Sequence, residues 1–249
     1  MIKAVRRYVV LATMAWTSVY AGPPFVTDDP EPVDLHAWEI NYGATWLRTM
    51  NGSGGALPGI DLNYGALPDV QLHAQPQLAY TRGTGGNAVG LGDLELGVKY
   101  RLTSPDQPRS DWMVGIYPML ELPTGSARRG LGAGAHSVYL PLWLQTTRGR
   151  WTVFGGAGYW LDHGADAHNA WAGGITALYE VDARLQLGAE VYGSTRRHID
   201  EATATGFNLG GILQLRDGLA LLFSAGHGLR NAHTSNNGTA YIGLRTSFQ

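Results

Sequence analysis

The chain has 249 residues, of which 15% are charged, with a formal net charge of −2 and a mean hydropathy of −0.12. It has no basic stripe, which excludes nucleic acid as a partner. No segment beyond the N-terminus reaches the roughly 18 consecutive apolar residues of a spanning helix, which excludes a helical membrane protein. The absence of cysteine excludes disulfides and thiolate metal sites.

The first 21 residues have the pattern of a secretory signal peptide. Three basic residues precede an apolar run over 8–16, and small residues at Val19 and Ala21 form a cleavage site. We therefore expect residues 1–21 to be removed. Removal would take away three bases and no acids, giving the mature chain a formal charge of −5.

Residues 22–35 are rich in proline and acid. The four prolines rule out a helix interior or a central strand. This segment could fold back into a barrel as a plug, with Phe25, Asp28, Asp29 and Glu31 facing inward. It could equally be a solvated periplasmic tail, and the sequence alone does not choose between the two.

Residues 36–249 are predicted to form a β-barrel. The last segment, 239–248, alternates strictly between apolar residues and polar or small residues, which is typical of a strand with one apolar face. The same pattern recurs along the chain and predicts about twelve strands, at 36–47, 59–65, 70–80, 91–102, 111–122, 135–148, 151–160, 167–180, 184–195, 206–215, 219–228 and 239–248.

The predicted connections are alternately short and long. Short turns at 66–69, 148–150, 181–183 and 216–218 alternate with longer loops at 48–58, 81–90, 123–134, 196–205 and 229–238, the asymmetry expected of an outer-membrane barrel. The connection at 103–110 has an intermediate length, although it stands where a short turn is expected. An interfacial girdle is expected from tryptophans at strand ends, namely Trp38, Trp46, Trp112, Trp151, Trp160 and Trp171. The alternative is a soluble β-sandwich or lipocalin-like barrel, for which the strands are long.

Several blocks of sequence resemble one bacterial family over nearly all of the mature chain. The blocks are GPPFVTDDPEPVDLHAWE (22–39), GIDLNYGALPDVQLH (59–73), GLGDLELGVKYR (90–101), ELPTGSARRGLGAG (121–134), LPLWLQ (140–145), GGAGYW (155–160), TGFNLGGI (205–212) and LLFSAGHGLRN (221–231). They resemble the outer-membrane transporters associated with the meta-cleavage pathway of phenol degradation. The resemblance implies an outer-membrane barrel of a Gram-negative bacterium that moves hydrophobic or aromatic small molecules.

Charged residues on the polar face of the strands are the candidate lumen lining. They are Glu39, Asp61, Asp93, Glu95, Lys99, Arg101, Glu121, Glu190 and Arg245. They could line a narrow polar path or orient a ligand. The alternative is a structural network in which acids and bases neutralise one another, favoured because both signs share the strand 91–102.

Two prolines lie inside predicted neighbouring strands. Pro118 and Pro141 would sit almost opposite each other in a hairpin centred near residue 129, and neither can donate a ladder hydrogen bond. They could form a lateral gate through which an apolar solute leaves into the membrane. The alternative is a bulge that merely shapes the wall.

The sequence predicts a passive channel or transporter for small, hydrophobic or aromatic molecules. No catalytic, cofactor-binding or metal-binding motif is recognised, and we expect a non-enzyme. The expected partners are outer-membrane lipid, a small-molecule solute and the barrel assembly machinery, with a monomeric state. Two alternatives stay open: a barrel enzyme acting on lipid, and a structural or adhesive barrel.

Overall fold

Antiparallel strands form nearly all of the described structure. The computed structural model describes residues 22–84, 86–103, 111–164, 166–199 and 201–249, so the predicted signal peptide lies outside the described residues. The described part also contains a short 3-10 helix, Ala127–Arg129, and one short α-helix, α1, Ala232–Ser235. Neither these nor any other helix among the described residues is long and apolar enough to cross a membrane.

The strands follow one another along the chain without a crossover. They are β1 (Trp38–Thr49), β2 (Gly52–Leu67), β3 (Val70–Gln75), β4 (Gln77–Gly83), β5 (Gly86–Leu91), β6 (Leu94–Arg101), β7 (Trp112–Ile116), β8 (Met119–Leu122), β9 (Ser137–Arg148), β10 (Trp151–Asp162), β11 (Ala170–Glu180), β12 (Leu185–Ser194), β13 (Ala204–Arg216), β14 (Leu219–Arg230) and β15 (Gly238–Phe248).

The sheet closes on itself. The first strand, β1, pairs with β2 on one side and with the last strand, β15, on the other, in a register that sets Trp38 opposite Phe248. Three pairs of segments, β3/β4, β5/β6 and β7/β8, each form one wall strand that is interrupted. The wall therefore has twelve strands, and the predicted transmembrane antiparallel barrel is confirmed.

The interruptions follow from residues that cannot continue a ladder. Pro76 separates β3 from β4, Gly92 and Asp93 separate β5 from β6, and Pro118 lies between β7 and β8. A proline has no N–H to give to the neighbouring strand, so each one leaves a ladder bond unmade. The carbonyl of Pro76 still accepts a hydrogen bond from Ile60, so the strand direction is kept.

Two of the predicted loops are strands. The segment 48–58 was expected to be a loop, but β1 and β2 are joined by a turn at residues 50–51, and β2 begins at Gly52. Likewise, most of 81–90 belongs to the hairpin of β4 and β5. Glycine and serine made these stretches look irregular, but the pairing of β2 with both β1 and β4 provides the ladder that their own strand propensity does not.

The two faces of the wall differ in polarity. Exposed apolar side chains cover the outside, including Tyr42, Leu72, Leu96, Val98, Leu142, Leu144, Ile175, Val191, Leu209, Ile242 and Leu244. Their strand neighbours point inward and are buried, and many are polar, such as Asn41, Glu95 and Asn208. This alternation is that of a barrel with lipid outside and a polar bore.

One tryptophan of the predicted girdle lies inside the barrel. Trp38, Trp46, Trp112, Trp151 and Trp171 are exposed on the outer face, as expected. Trp160 is instead buried in the lumen, because its position in β10 shares the inward face with Phe154, and its ring stacks on Tyr139 at 4.5 Å. The girdle assignment of Trp160 was wrong.

Gly65 allows the N-terminal segment to reach the wall. A Cβ atom at this inward position of β2 would collide with the backbone carbonyl of Asp34, which cannot move aside cheaply. We predict that Gly65→Ala lowers the free energy of unfolding by about 1–3 kcal/mol, as overpacking does. Urea unfolding in detergent micelles measures it. Gly59→Ala, on the same face of β2 with only ordinary contacts at 3.4 Å and beyond, is the control. Equal effects of the two substitutions would contradict the prediction.

Candidate functional site in the lumen

The N-terminal segment, residues 22–35, lies inside the barrel. Leu35 bridges to Gly65 of β2, and the N–H of His36 donates to the Gly65 carbonyl at 2.7 Å. This attachment lies near the turn at 68–69, at the end of the barrel that carries the short turns. From there the segment runs into the bore, where Phe25, Thr27 and Asp28 are at most 3% exposed.

The wall satisfies the backbone of this segment. The Glu190 carboxylate on β12 accepts hydrogen bonds from the N–H groups of Val26, at 3.1 Å, and of Thr27. Asn208 on β13 also donates to Glu190, at 2.7 Å. A segment with four prolines cannot pair as a strand, so these side chains take the place of a ladder partner.

Further wall groups hold the segment from several directions. The Gln71 side chain of β3 accepts from the N–H of Val33 at 2.9 Å. Arg245 of β15 donates to the carbonyl of Pro23 at 3.1 Å, and Ser224 of β14 donates to that of Pro24. Together with Glu190 on β12, these groups hold the segment from several strands of the wall.

Lys99 is the cation that balances the segment's acids. Its ammonium lies 3.0 Å from Asp28 Oδ1 and 3.5 Å from Asp29 Oδ1, and it also approaches the carbonyl of Glu31. Burial raises the pKa of Asp28 to about 6, although the nearby Lys99 favours the ionised form. The charged Asp28 therefore depends on Lys99 to compensate for its lost hydration.

An apolar contact completes the seat of the segment. Phe25 packs with Phe154 of β10 and Leu178 of β11, and all three are buried. Beside it a cavity of about 360 Å³ lies at the short-turn end. Its lining is apolar at Phe154, Leu178 and Ile212, and charged at other positions, among them Asp61, His73, Lys99 and Arg245.

A second polar network lies on the wall at β2, β3 and β6. His73 stands between two carboxylates, with Nδ1 at 3.0 Å from Asp61 Oδ1 and Nε2 at 3.2 Å from Glu95 Oε1. Asn63 and Asn41 donate to Asp61 at 2.8 and 2.9 Å. Glu95 also faces Glu121 directly across the β6–β8 pair, an arrangement of like charges that is unfavourable without a cation nearby.

The long-loop end of the bore is narrowed by connections that fold inward. Asp93 accepts hydrogen bonds from the N–H groups of Gly125 and Ala133, at 2.8 and 2.6 Å, and so fixes the β8–β9 connection. Arg197, from the β12–β13 connection, is buried and forms two hydrogen bonds with Asp162 at 2.9 and 2.6 Å. These contacts close over an apolar lumen cluster that includes Tyr117, Met119, Tyr139, Trp143 and Trp160.

The structure places the predicted lumen residues in two groups. Six are buried on the inner face: Asp61, Asp93, Glu95, Lys99, Glu121 and Glu190. Glu39, Arg101 and Arg245 lie at the short-turn rim and are partly exposed, where Arg245 meets Glu39 at 3.3 Å and Arg101 pairs with Asp69. Of the predicted plug residues, Phe25 and Asp28 are buried, Asp29 is partly exposed, and Glu31 is exposed but accepts from Gln145 at 3.2 Å.

Three residues of these networks were missed in the sequence. His73 lies in the predicted strand 70–80 but was not among the charged lumen candidates, Asp162 lies two residues beyond the predicted strand 151–160, and Arg197 lies in the predicted loop 196–205. The parity of β10 places Asp162 on the same face as Trp160, which was a usable signal. Nothing in the sequence indicated that the loop carrying Arg197 turns into the bore.

Pro118 and Pro141 lie almost opposite each other, one position apart in the pairing of β7 and β8 with β9. Tyr117, not Pro118, is opposite Pro141, and its N–H donates to the Pro141 carbonyl at 3.4 Å, while Val98 donates to that of Pro118 at 3.1 Å. The return bonds from Pro118 and Pro141 cannot form. Nearby, β5 pairs with β4 alone, and its other side meets the β8–β9 connection through Arg129 and the Val89 carbonyl.

Among the described residues, no group of three or more His, Cys, Asp or Glu side chains is arranged to hold a metal ion.

The family model described as "Putative MetA-pathway of phenol degradation" matches residues 23–246. The chain belongs to this family. No curated protein sequence matches it.

Solved structures with the same fold are outer-membrane channels and porins. An outer membrane channel from Pseudomonas putida F1 is 17% identical, with a TM-score of 0.71 over 88% of this chain and 98% of that one. The KdgM porin is 10% identical (TM-score 0.60, 85% and 99% covered), and the NanC porin is 10% identical (TM-score 0.57, 84% and 99% covered). The chain thus has the closed antiparallel β-barrel fold of these outer-membrane channels and porins.

We predict that Lys99→Met releases the N-terminal segment from the bore. The substitution leaves Asp28 buried without its cation, which costs about 3–5 kcal/mol when one partner of a buried pair is removed. Limited proteolysis of the protein in detergent, read at the N-terminus, measures the release. Arg101→Met is the control, because its pair with Asp69 is partly exposed at the rim and contributes about 1 kcal/mol at most. Equal protection of the segment in both variants would refute the role given to Lys99.

Proposed function

We propose that the protein is a passive outer-membrane channel for small hydrophobic or aromatic molecules, with the N-terminal segment as its plug. The single observation that supports this proposal is that the N-terminal segment fills the bore. A removable chain segment, held by Glu190 and Lys99, occupies the space that wall side chains fill in an eight-stranded barrel. Twelve strands leave room for a solute once this segment shifts.

The lining at the short-turn end suits an amphipathic solute. The cavity beside Phe25 has about the volume of a small-molecule site, and apolar and charged residues lie on different sides of it. A purely polar path would not need Phe154, Leu178 and Ile212 to face inward. These side chains support an apolar or aromatic body as part of the cargo, and the solute gradient would drive its passage.

Deleting residues 22–33 tests the plug. Leu35 and its bridge to Gly65 are kept, so the barrel should still form. We expect liposomes with the shortened protein to take up aromatic solutes faster than liposomes with the full chain, because the bore is unblocked. A panel of aromatic, fatty and sugar solutes gives the preference, and heat-modifiable migration on gels controls for folding. A folded, shortened barrel that passes no solute would contradict the channel.

We also propose that apolar cargo leaves sideways through the wall near Pro118 and Pro141. The missing return bonds there, and the unpaired edge of β5, make this the weakest part of the sheet. A bulge that only shapes the wall remains the alternative for the same geometry.

Replacing both prolines with alanine tests this exit. The new N–H groups can bond the carbonyls of Val98 and Tyr117, so we predict slower uptake of apolar solutes and unchanged uptake of sugars. Pro76→Ala, which repairs a ladder elsewhere in the wall, is the control. Unchanged uptake of apolar solutes by the double variant would remove the case for a lateral gate.

The partners follow from the same proposal. The exposed apolar exterior would contact outer-membrane lipid, and the barrel assembly machinery would insert the closed sheet. We propose a monomer without enzymatic activity, since the pairing of β1 with β15 closes the sheet without a second copy. Light scattering in detergent and a lipid-hydrolysis assay check the two statements.

A further inference from the structure

The guanidinium group of Arg197 lies buried at the long-loop end of the bore. Arg197 is 3% exposed, and its guanidinium carbon lies 3.7 Å from the centroid of the Trp160 ring. The Asp162 carboxylate receives two of its N–H groups in a fork, at 2.9 and 2.6 Å. We refer to Arg197, Trp160, Asp162 and Glu121 as the outer-mouth cluster.

The walls of this cluster have the chemistry of a receptor for a planar cation. A carboxylate that takes a guanidinium in two parallel hydrogen bonds is specific in geometry as well as charge. An indole face under the same guanidinium adds cation–π attraction, which is strengthened away from water. Both groups lie on β10, so they are held by the barrel and do not depend on the loop that carries Arg197.

Arg197 does not satisfy all of the hydrogen-bonding groups in the outer-mouth cluster. Its Nη1 has no hydrogen-bond partner among the described residues, and neither has Glu121 Oε2, which lies 3.6 Å from Arg197 Nη2. Both residues are more than nine-tenths buried. A free guanidinium, not tied to a loop, could satisfy Asp162 and Glu121 together.

The surroundings favour a cation over an anion. The buried ionisable groups of the described chain comprise six carboxylates, Asp28, Asp61, Asp93, Glu95, Glu121 and Glu190, against three basic side chains, Lys99, Arg197 and His73. Glu95 faces Glu121 directly, and the base next to it is His73, whose Nε2 lies 3.2 Å from Glu95 Oε1. Such an excess of acid in a narrow bore concentrates cations.

The neighbouring side chains would accept an aromatic body. Tyr139 stacks on Trp160, and Met119, Tyr117 and Trp143 belong to the same buried cluster. An aryl group attached to the cation would therefore contact apolar surface and not water.

We propose that the outer-mouth cluster is a binding site for small organic cations, namely guanidinium or amine groups carried on an apolar or aromatic body, and that Arg197 is its internal occupant. A soluble cation competes with Arg197 for Asp162, Trp160 and Glu121. The role of this competition in uptake rests on the proposed channel function, but the binding site itself does not.

Phenylguanidinium titrated into the full-length Arg197→Ala protein in detergent tests the site. Tryptophan fluorescence gives the binding curve, and the melting temperature gives an independent measure. Because the tethered Arg197 competes at a high effective concentration, we expect at least about tenfold tighter binding to the variant than to the wild type. At tenfold excess over Kd the melting temperature of the variant should rise by about 3–5 °C.

The controls separate recognition from general stabilisation. Phenylurea has nearly the same shape without the charge and should not bind. Arg150→Ala removes another arginine that lies over an aromatic ring, Tyr179 at 5.7 Å, but on the exposed surface, and should gain no affinity. In the double variant Arg197→Ala/Glu121→Gln, affinity should fall back toward that of the wild type.

The outcomes are decisive either way. No saturable binding to Arg197→Ala, equal binding of phenylurea, or an equal gain in Arg150→Ala would overturn the proposal. If Arg197→Ala cannot be folded, the comparison of wild type with Glu121→Gln decides, because binding must be present in the first and weaker in the second. Binding without any solute uptake would contradict the channel and leave this site standing, whereas uptake without binding would do the reverse.

Discussion

Burial of a charged, proline-rich segment inside a barrel requires that the wall satisfy it, and this requirement governs the whole interior. The segment 22–35 brings Asp28 into the bore together with backbone N–H groups that no strand can take. Glu190 accepts two of these N–H groups, and Lys99 balances the acid. If Glu190 or Lys99 were replaced by an apolar residue, the segment would gain more free energy from hydration in the periplasm than from its contact with Phe154 and Leu178. The conformation of the N-terminus is thus set by residues more than 70 positions away in sequence.

Buried acids are paired with a base at both ends of the bore, but the base comes from a different part of the chain at each end. At the short-turn end a wall base meets acids of the segment, whereas at the long-loop end wall acids meet a base from a loop, Arg197. His73, held between Asp61 and Glu95, lies between these two groups of charges. Each end is therefore closed by chain that could leave without breaking the sheet. The paired strands of the wall support both ends, and the three interruptions, at Pro76, Gly92–Asp93 and Pro118, lie on the side of the barrel formed by β2 to β9.

Much of the fold was predictable because the period of two is a local property. The alternation in 239–248 and in 94–101 specifies both strand and face, and the antiparallel pairing of β1 with β15 follows once the strand number is even. The segment 52–58 was not predictable, because its glycines form a strand only by pairing with β1 and β4.

The lumen acids could be assigned by parity, which placed Glu95, Glu121 and Glu190 inward. The partners of these acids could not be assigned, because Arg197 and the N-terminal segment reach them through loops that carry no periodicity. Trp160 was assigned wrongly because tryptophans near strand ends usually belong to the interfacial girdle, whereas the alternation of side chains along β10 places Trp160 on the inward face.

The location of the N-terminal segment is the central claim, and a cysteine pair tests it most directly. A Cβ atom at Gly115 of β7 would lie 2.9 Å from Cβ of Pro30, so that a small shift brings the two atoms to the separation of a disulfide. The natural chain has no cysteine, so the double variant Pro30→Cys/Gly115→Cys has no competing thiol. After mild oxidation of the protein in outer-membrane vesicles, a maleimide–polyethylene glycol reagent counts the free thiols by gel shift. The account predicts an intramolecular disulfide and no shift until the protein is reduced. Two thiols that both stay free and react under native conditions would show that the segment lies outside the barrel.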